Sequence, residues 1–218
     1  KLTMDLATQR LMMAAAGASG DKLYVDDVFN PFLYAGTDGA LTGNSGLDLS
    51  GEGGMIWIKN RTTSGRNNIL IDTERGVNKV LKSDTAGAET TNTNANQTFT
   101  STGFTLNNDI GNYNQSTKNY CAWNFRKAKG FFDVVTYTGN ASTQDISHSL
   151  KCKPGLILIK RIGSFTGGYD WVVYHRSLGE SQYLKLHNND EANSSAHFNG
   201  EPTDTVFKLD NNWTVNGP

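Results

Sequence analysis

Residues 46–61, GLDLSGEGGMIWIKNR, are answered further along the chain by residues 148–163, HSLKCKPGLILIKRIG. Laying the chain on itself at an offset of 101 to 103 extends the match in both directions. FLYAG meets VTYTG, so that Tyr34 and Gly36 fall on Tyr137 and Gly139. Leu49, Gly54 and Lys59 fall on Leu150, Gly155 and Lys160. NILIDTER then meets DWVVYHR, bringing Arg75 onto Arg176, KVLKS meets QYLKL, and GFTLNND (103–109) meets VFKLDNN (206–212). Blocks matched in the same order, with small length changes between them, read as an internal duplication. A chain written twice must fold into something that can be built twice.

The residue types say what that unit is. Each copy is a series of short apolar runs rich in β-branched and aromatic residues, separated by Gly and Asn clusters, which is the pattern of strands and turns rather than helices. One run in each copy, Met55 to Lys59 and Leu156 to Lys160, is almost continuously apolar. Such a strand is expected in the centre of a sheet with cover on both faces. GFTL and NYCAWNF alternate instead, so one face of each is expected against a core and the other in water. The expectation is an all-β chain, a tandem repeated antiparallel β-sandwich of jelly-roll or concanavalin-like type with a short N-terminal helix. Its parts are a helical anchoring segment over residues 1–20, a first sandwich over 21–130 and a second over 131–218.

Composition removes several classes of partner. The 218 residues carry 20 basic and 21 acidic side chains for a net charge of -1, which supplies no field for a phosphate backbone, so no nucleic acid is expected. No apolar run approaches the roughly 18 residues needed to cross a bilayer, so no membrane insertion is expected either. Cys121 lies on one face of its strand with Trp123 and Phe125 and reads as a small core residue, whereas Cys152, ahead of Pro154, reads as a turn position. Two cysteines are too few for a framework of disulfides, and without spaced histidines they make no zinc site.

The opening stretch, KLTMDLATQRLMMAAAG, differs from everything after it. Strong helix formers, Thr3 as N-cap and Gly17 as a stop predict a helix. A secretory signal is the competing reading of AAAGASG, but Asp5 and Arg10 and a short apolar stretch argue against it. The other end carries an asymmetry. GFTLNNDIGNYN is followed by NYCAWNFRKAKG, a further strand, whereas the second copy reaches WTVNGP. The closing strand of the second sandwich is therefore expected either from sequence beyond Pro218 or from another chain, because an open edge invites aggregation.

YVDDVFNPFLYAG, GLDLSGEGGMIWIKNR, DTERG, NYCAWNFRKAKGFFDVVTYTG and DWVVYHRSLG together resemble a duplicated domain widespread in tailed phages, especially marine phages and cyanophages. That domain is similar to concanavalin A-like or laminin-G-like sandwiches and sits in tail-fibre or other virion proteins. The resemblance covers the chain from about Tyr24 onward. It implies a virion structural protein, assembled in the bacterial host cytoplasm, most simply a tail fibre or fibre-like appendage joined to other virion proteins through residues 1–20. A homo-oligomer is expected, although no heptads impose one. A capsid-decorating protein and a carbohydrate-binding module for host surface glycans are the alternatives.

No residue is assigned to catalysis, to a cofactor or to a metal. His148, His175, His187 and His197 belong to no nucleophile or metalloprotease motif. His175 is the most suggestive, but its counterpart in the alignment is Glu74, which leaves a strand-end polar residue. Asp26 and Asp27 are adjacent on an extended segment, point to opposite faces and read as turn or capping residues rather than as a glycosidase pair. LNNDIGN (106–112) and KLDNNW (208–213) offer oxygen ligands for calcium, yet Asn and Asp clusters are the ordinary chemistry of tight turns. For ligand binding the residues singled out are Tyr169, presented beside a Gly-rich loop to a sugar ring, and the matched arginines Arg75 and Arg176.

Overall fold

The computed structural model describes residues 23–93, 97–107, 113–163 and 168–218. The helix expected over residues 1–20 lies outside them. After one 3-10 turn, Val25–Asp27, the strands of the first half are β1 (Phe29–Ala35), β2 (Leu41–Asn44), β3 (Gly54–Asn60), β4 (Ile69–Asp72), β5 (Lys79–Lys82), β6 (Thr90–Thr91), β7 (Thr98–Thr100), β8 (Gly103–Leu106) and β9 (Asn119–Arg126). The second half contains β10 (Gln144–Ser147), β11 (Leu156–Ile159), β12 (Val172–His175), β13 (Gln182–Lys185), β14 (Asn193–Ser194) and β15 (Val206–Leu209), followed by a single helical turn, α1 (Trp213–Asn216). The chain is nearly all-β and its sheets are antiparallel.

In the first half a six-stranded sheet, ordered β1-β9-β3-β4-β5-β6, lies across one core from a three-stranded sheet, β2-β8-β7. Ile56, Ile58, Ile69, Ile71, Tyr120 and Ala122 of the large sheet meet Phe104 and Leu106 of the small one. The second half has a four-stranded sheet, β11-β12-β13-β14, and a two-stranded one, β10-β15. Its core joins Ile159, Val172 and Tyr174 to Ile146, Phe207 and Leu209.

A third apolar layer holds the halves together. Period-two alternation sends Leu70 and Leu81 to the opposite face of their sheet from Ile69, Ile71 and Val80, and there they bury against Trp171 with Met55, Trp57, Leu158 and Leu186 around them. This is why β3 is apolar on both faces: Ile56 and Ile58 fill one core while Met55 and Trp57 reach the other. Burial of each such large side chain contributes about 1.5–3 kcal/mol. The strand stops at Asn60, whose Oδ1 accepts from the N–H groups of Thr62 and Thr63, both at 2.9 Å.

Two expectations from the alternation pattern are corrected. In β9 the face carrying Tyr120, Ala122 and Asn124 does not meet water but is fully buried, while Trp123 and Phe125 stand on the other face against Trp57 and against Phe29, Phe131 and Phe132. A strand flanked by β1 and β3 inside a covered sheet has no wet side. The second correction concerns β11, which reads as a central strand and instead ends its sheet, paired with β12 alone among the described residues. Leu156, its first residue, is 55% exposed.

Two buried asparagines organise the ends of the sheets. Asn114, 0% exposed, accepts from the Thr37 N–H at 2.9 Å and donates to the Gly39 carbonyl at 2.6 Å. Its own carbonyl accepts from Asp38 N–H. Asn216, also 0% exposed, accepts from the Asn140 N–H at 3.2 Å and donates to the carbonyls of Ser142 and Asp210, while its carbonyl accepts from Ala141 N–H. Asp38 and Ala141 both adopt a left-handed backbone, with φ of 57° and 55°. Just before each asparagine, a tyrosine hydroxyl donates to a carbonyl: Tyr34 to Tyr113, and Tyr137 to Val215 at 2.6 Å.

Candidate functional site

The most exposed aromatic side chain among the described residues, Trp213, lies at the C-terminal end of the second half. Trp213 opens α1, whose N-cap is Asn212, with its Oδ1 accepting from Thr214 N–H at 2.9 Å. That turn holds the Trp213 ring 58% exposed. The Arg161 guanidinium lies 4.3 Å from the centre of the Tyr169 ring and 5.9 Å from that of Trp213. It is fixed there by hydrogen bonds to the Trp213 carbonyl at 3.1 Å and to Pro218 at 2.7 Å. A planar cation beside two rings is a surface on which a sugar can stack and hydrogen-bond. Of the three side chains brought together here, Tyr169 is one the sequence singles out; Arg161 and Trp213 are not, and the only local signal is the Asn pair immediately before Trp213.

The backbone under Tyr169 is anchored to the first half. Its N–H donates to the Ala86 carbonyl, and Lys160 Nζ donates to the carbonyls of both Ala86 (2.9 Å) and Tyr169 (2.6 Å). Burial pushes the Lys160 ammonium down to about 8 against the opposing charge of Asp170. Lys59, which aligns with it in the sequence, donates to the Arg66 carbonyl at 3.1 Å.

A cavity of about 230 Å³ lies where the first half hands over to the second, lined by Glu74, Lys127, Asp133, Val135, Ser147 and His148 among others. Lys127 Nζ sits 2.6 Å from Glu74 Oε1 and 3.2 Å from Asp133 Oδ1. Partial burial alone would lower this lysine, but the hydrogen bonds and charges of the two carboxylates outweigh it and raise it. Asp133 is further held by Ser149 N–H at 2.7 Å. One ammonium spans the two carboxylates, the geometry of an ion-pair tie rather than of a pair opened around a glycosidic bond.

The remaining sequence candidates are dispersed. The Arg75 side chain is 7% exposed, its guanidinium bound to Asp72 at 2.6 Å, Glu89 at 3.1 Å and the Leu70 carbonyl at 3.3 Å. Arg176 is exposed and packs over Gly155. Strand register also re-pairs the two arginines. Asp72 sits opposite Met55 and His175 opposite Leu156; Thr73 and Arg176 then donate to the carbonyls of Gly54 and Gly155. Arg176 therefore stands where Thr73 does, and His175 answers Asp72 rather than Glu74.

The histidines serve local structure. His175 Nδ1 accepts from Ser177 N–H, His148 Nδ1 accepts from Leu150 N–H, His187 faces Asp170 at 3.3 Å, and His197 is buried against the Tyr183 ring, which lowers its pKa. Asp27 caps the Tyr24 N–H at 2.9 Å. In the segment 208–213, Asp210 Oδ1 accepts from Asn211 N–H and Asn212 caps α1, while positions 108–112 of the other calcium candidate lie outside the described residues. Among the described residues no group of three or more His, Cys, Asp or Glu is placed to hold a metal ion. Cys121 is buried, Cys152 is half-buried, and both are free.

Comparison with known proteins gives one match. A family model described as a domain of unknown function, DUF7483, covers residues 25–218. No curated protein and no solved structure matches the chain.

Proposed function

The chain belongs to the DUF7483 family, and from that premise we propose that it is a structural protein of a tailed-phage virion, a tail fibre or fibre-like appendage built from two tandem concanavalin-like β-sandwiches and anchored through residues 1–20. The observation that carries this reading is the apolar layer of Leu70, Leu81 and Trp171, which packs two separately cored halves against each other. A projecting appendage needs modules joined in this way, with loops that vary without disturbing the cores. The resemblance to phage virion proteins supplies the setting. The two-copy architecture is supported by β2 pairing β8 as β10 pairs β15, by β4 pairing β5 as β12 pairs β13, and by the duplicated Tyr34–Asn114 and Tyr137–Asn216 networks.

The test is to locate the chain in intact particles by cryo-electron microscopy with a labelled copy. Density on tail appendages is the expected result, with residues 1–20 against a neighbouring protein; density on the capsid surface selects the decorating role, and absence from particles ends the proposal. A second reading, recognition of host glycans, is favoured by the exposed Trp213 beside Arg161 and Tyr169. If the appendage binds glycans there, Trp213→Ala and Tyr169→Ala each lower signal on a glycan array at least tenfold without changing the unfolding midpoint by more than a few degrees. Silence of the unaltered protein across a broad array leaves the purely structural role.

A further inference from the structure

Asparagine is followed directly by glycine at two places in the chain, Asn199–Gly200 and Asn216–Gly217. A glycine N–H, with no side chain beside it, can close on the carboxamide carbon of the residue before it. The two dipeptides therefore share one local chemistry, and their surroundings are opposite. Asn199 is exposed in the connection between β14 and β15, just after Phe198 bridges to Leu209. Its main-chain N–H donates to the Lys208 carbonyl at 3.1 Å. Among the described residues, its side-chain amide and the Gly200 N–H have no hydrogen-bond partner. Gly200 has a φ of 98°, and a side chain built on it would meet nothing within 4 Å. Asn216 is fully buried instead. Its Oδ1 accepts from the Asn140 N–H at 3.2 Å and from Gln144 Nε2, and its Nδ2 donates to the carbonyls of Ser142 and Asp210. The Gly217 N–H is occupied as well, donating to the Trp213 carbonyl at 3.2 Å.

We propose that Asn199 is a site of spontaneous deamidation, and that the fold protects Asn216 in the same dipeptide. The Gly200 amide nitrogen forms a bond to Asn199 Cγ, the bond from Cγ to Nδ2 breaks, and ammonia leaves with the proton that the Gly200 nitrogen gives up. The product is a five-membered succinimide. Water then opens the ring: attack at Cγ gives aspartate, and attack at the main-chain carbonyl carbon gives isoaspartate. Nothing is oxidised or reduced, and water is the one co-reactant. At Asn216 the same step requires the carboxamide to give up its bonds to Asn140, Gln144, Ser142 and Asp210 and the Gly217 N–H to leave the Trp213 carbonyl, all inside a buried site.

Either product adds a negative charge to a chain whose net charge is -1. The new carboxylate forms two residues from Glu201, whose own carboxylate is held by Lys153 and by the Tyr174 hydroxyl, both at 2.7 Å. Isoaspartate also lengthens the main chain by one methylene between Phe198, which is buried in the second core, and Gly200. The connection between β14 and β15 thus changes its charge and its backbone as the protein ages, while the Asn216 network at the sheet end persists. The inference does not rest on the virion role, which the particle experiment tests separately.

The experiment holds the folded chain in mildly alkaline buffer made with heavy-oxygen water and follows the peptides containing positions 199 and 216 by mass spectrometry. Isoaspartate is scored with an isoaspartyl methyltransferase. Position 199 is expected to convert at least tenfold faster than position 216, taking up heavy oxygen as it loses its amide nitrogen. In urea-unfolded chain the two rates are expected to come within threefold of each other. Asn199→Gln is expected to remove the fast conversion and leave the urea midpoint unchanged. Equal rates in the folded chain overturn the assignment, as does an unchanged position 199 over a period in which a free peptide of residues 196–202 converts. A tenfold difference that persists in urea overturns the protective role of the fold, because the flanking sequence then sets the contrast.

Discussion

Replacing Trp171 by alanine is expected to destabilise the protein by about 3–5 kcal/mol and to separate its unfolding into two transitions. Trp171 is 4% exposed and belongs to neither half's own core; it packs on Leu70 and Leu81 across the joint, and its Nε1 donates to the Lys82 carbonyl at 2.9 Å. Truncation removes the largest apolar body in that layer, leaves a cavity and orphans a carbonyl. Contacts between the halves remain among the described residues, from Lys160 and Tyr169 to Ala86, from Glu89 N–H to the Ile162 carbonyl, from Gly130 N–H to the Leu150 carbonyl and from Lys127 to Asp133, but without the tryptophan they are expected not to keep the halves cooperative. Trp171→Phe keeps most of the apolar area and loses the hydrogen bond, so it is expected to cost about 1 kcal/mol and retain one transition. Denaturant titration followed by circular dichroism distinguishes these results. A single transition with an unchanged midpoint in the alanine variant would mean that the third layer does not couple the halves.

Asn216→Ala is expected to cost about 2–4 kcal/mol, because a fully buried side chain that satisfies main-chain groups leaves each without a partner when it goes. The affected groups are the Asn140 N–H and the carbonyls of Ser142 and Asp210. Asn114→Ala loses the corresponding bonds to Thr37 and Gly39 and is expected to fall within about 1 kcal/mol of it, given the usual spread for buried polar truncations. Asn216→Asp separates geometry from charge. It keeps the acceptor but turns a donor into an anion facing two carbonyls, so it should be no better than alanine at neutral pH. Urea midpoints and amide exchange at Asn140 and Ala141 measure the effect. A neutral Asn216→Ala would show that these bonds are replaced by water at no cost.

Much of this fold is legible in local pattern. The doubled apolar runs mark β3 and β11, and the matched Tyr34 and Tyr137 make the same kind of hydrogen bond, each to the carbonyl just before a buried asparagine. The arginines are the instructive failure. Arg75 and Arg176 align by letter, but Gly76 and Gly179 close equivalent turns by donating to the carbonyls of Asp72 and His175, and that geometry shifts the pairing by two positions. Side-chain identity is a weaker guide than the hydrogen bonds that end a strand. Arg161 and Trp213 escaped for another reason: their juxtaposition joins the segment after β11 to α1, far apart in the chain, and no spacing encodes it.

Strand type and turn placement were set by the sequence alone, since they depend on neighbours a few residues apart. Which faces are wet was decided only in three dimensions. Tyr120 and Ala122 are buried, and Leu70, Leu81 and Trp171 share a core, because one half is laid against the other and the sheets are stacked. β11 is the same lesson in reverse: its residues are suited to a central strand, and among the described residues the order of the assembled sheet leaves it at the margin.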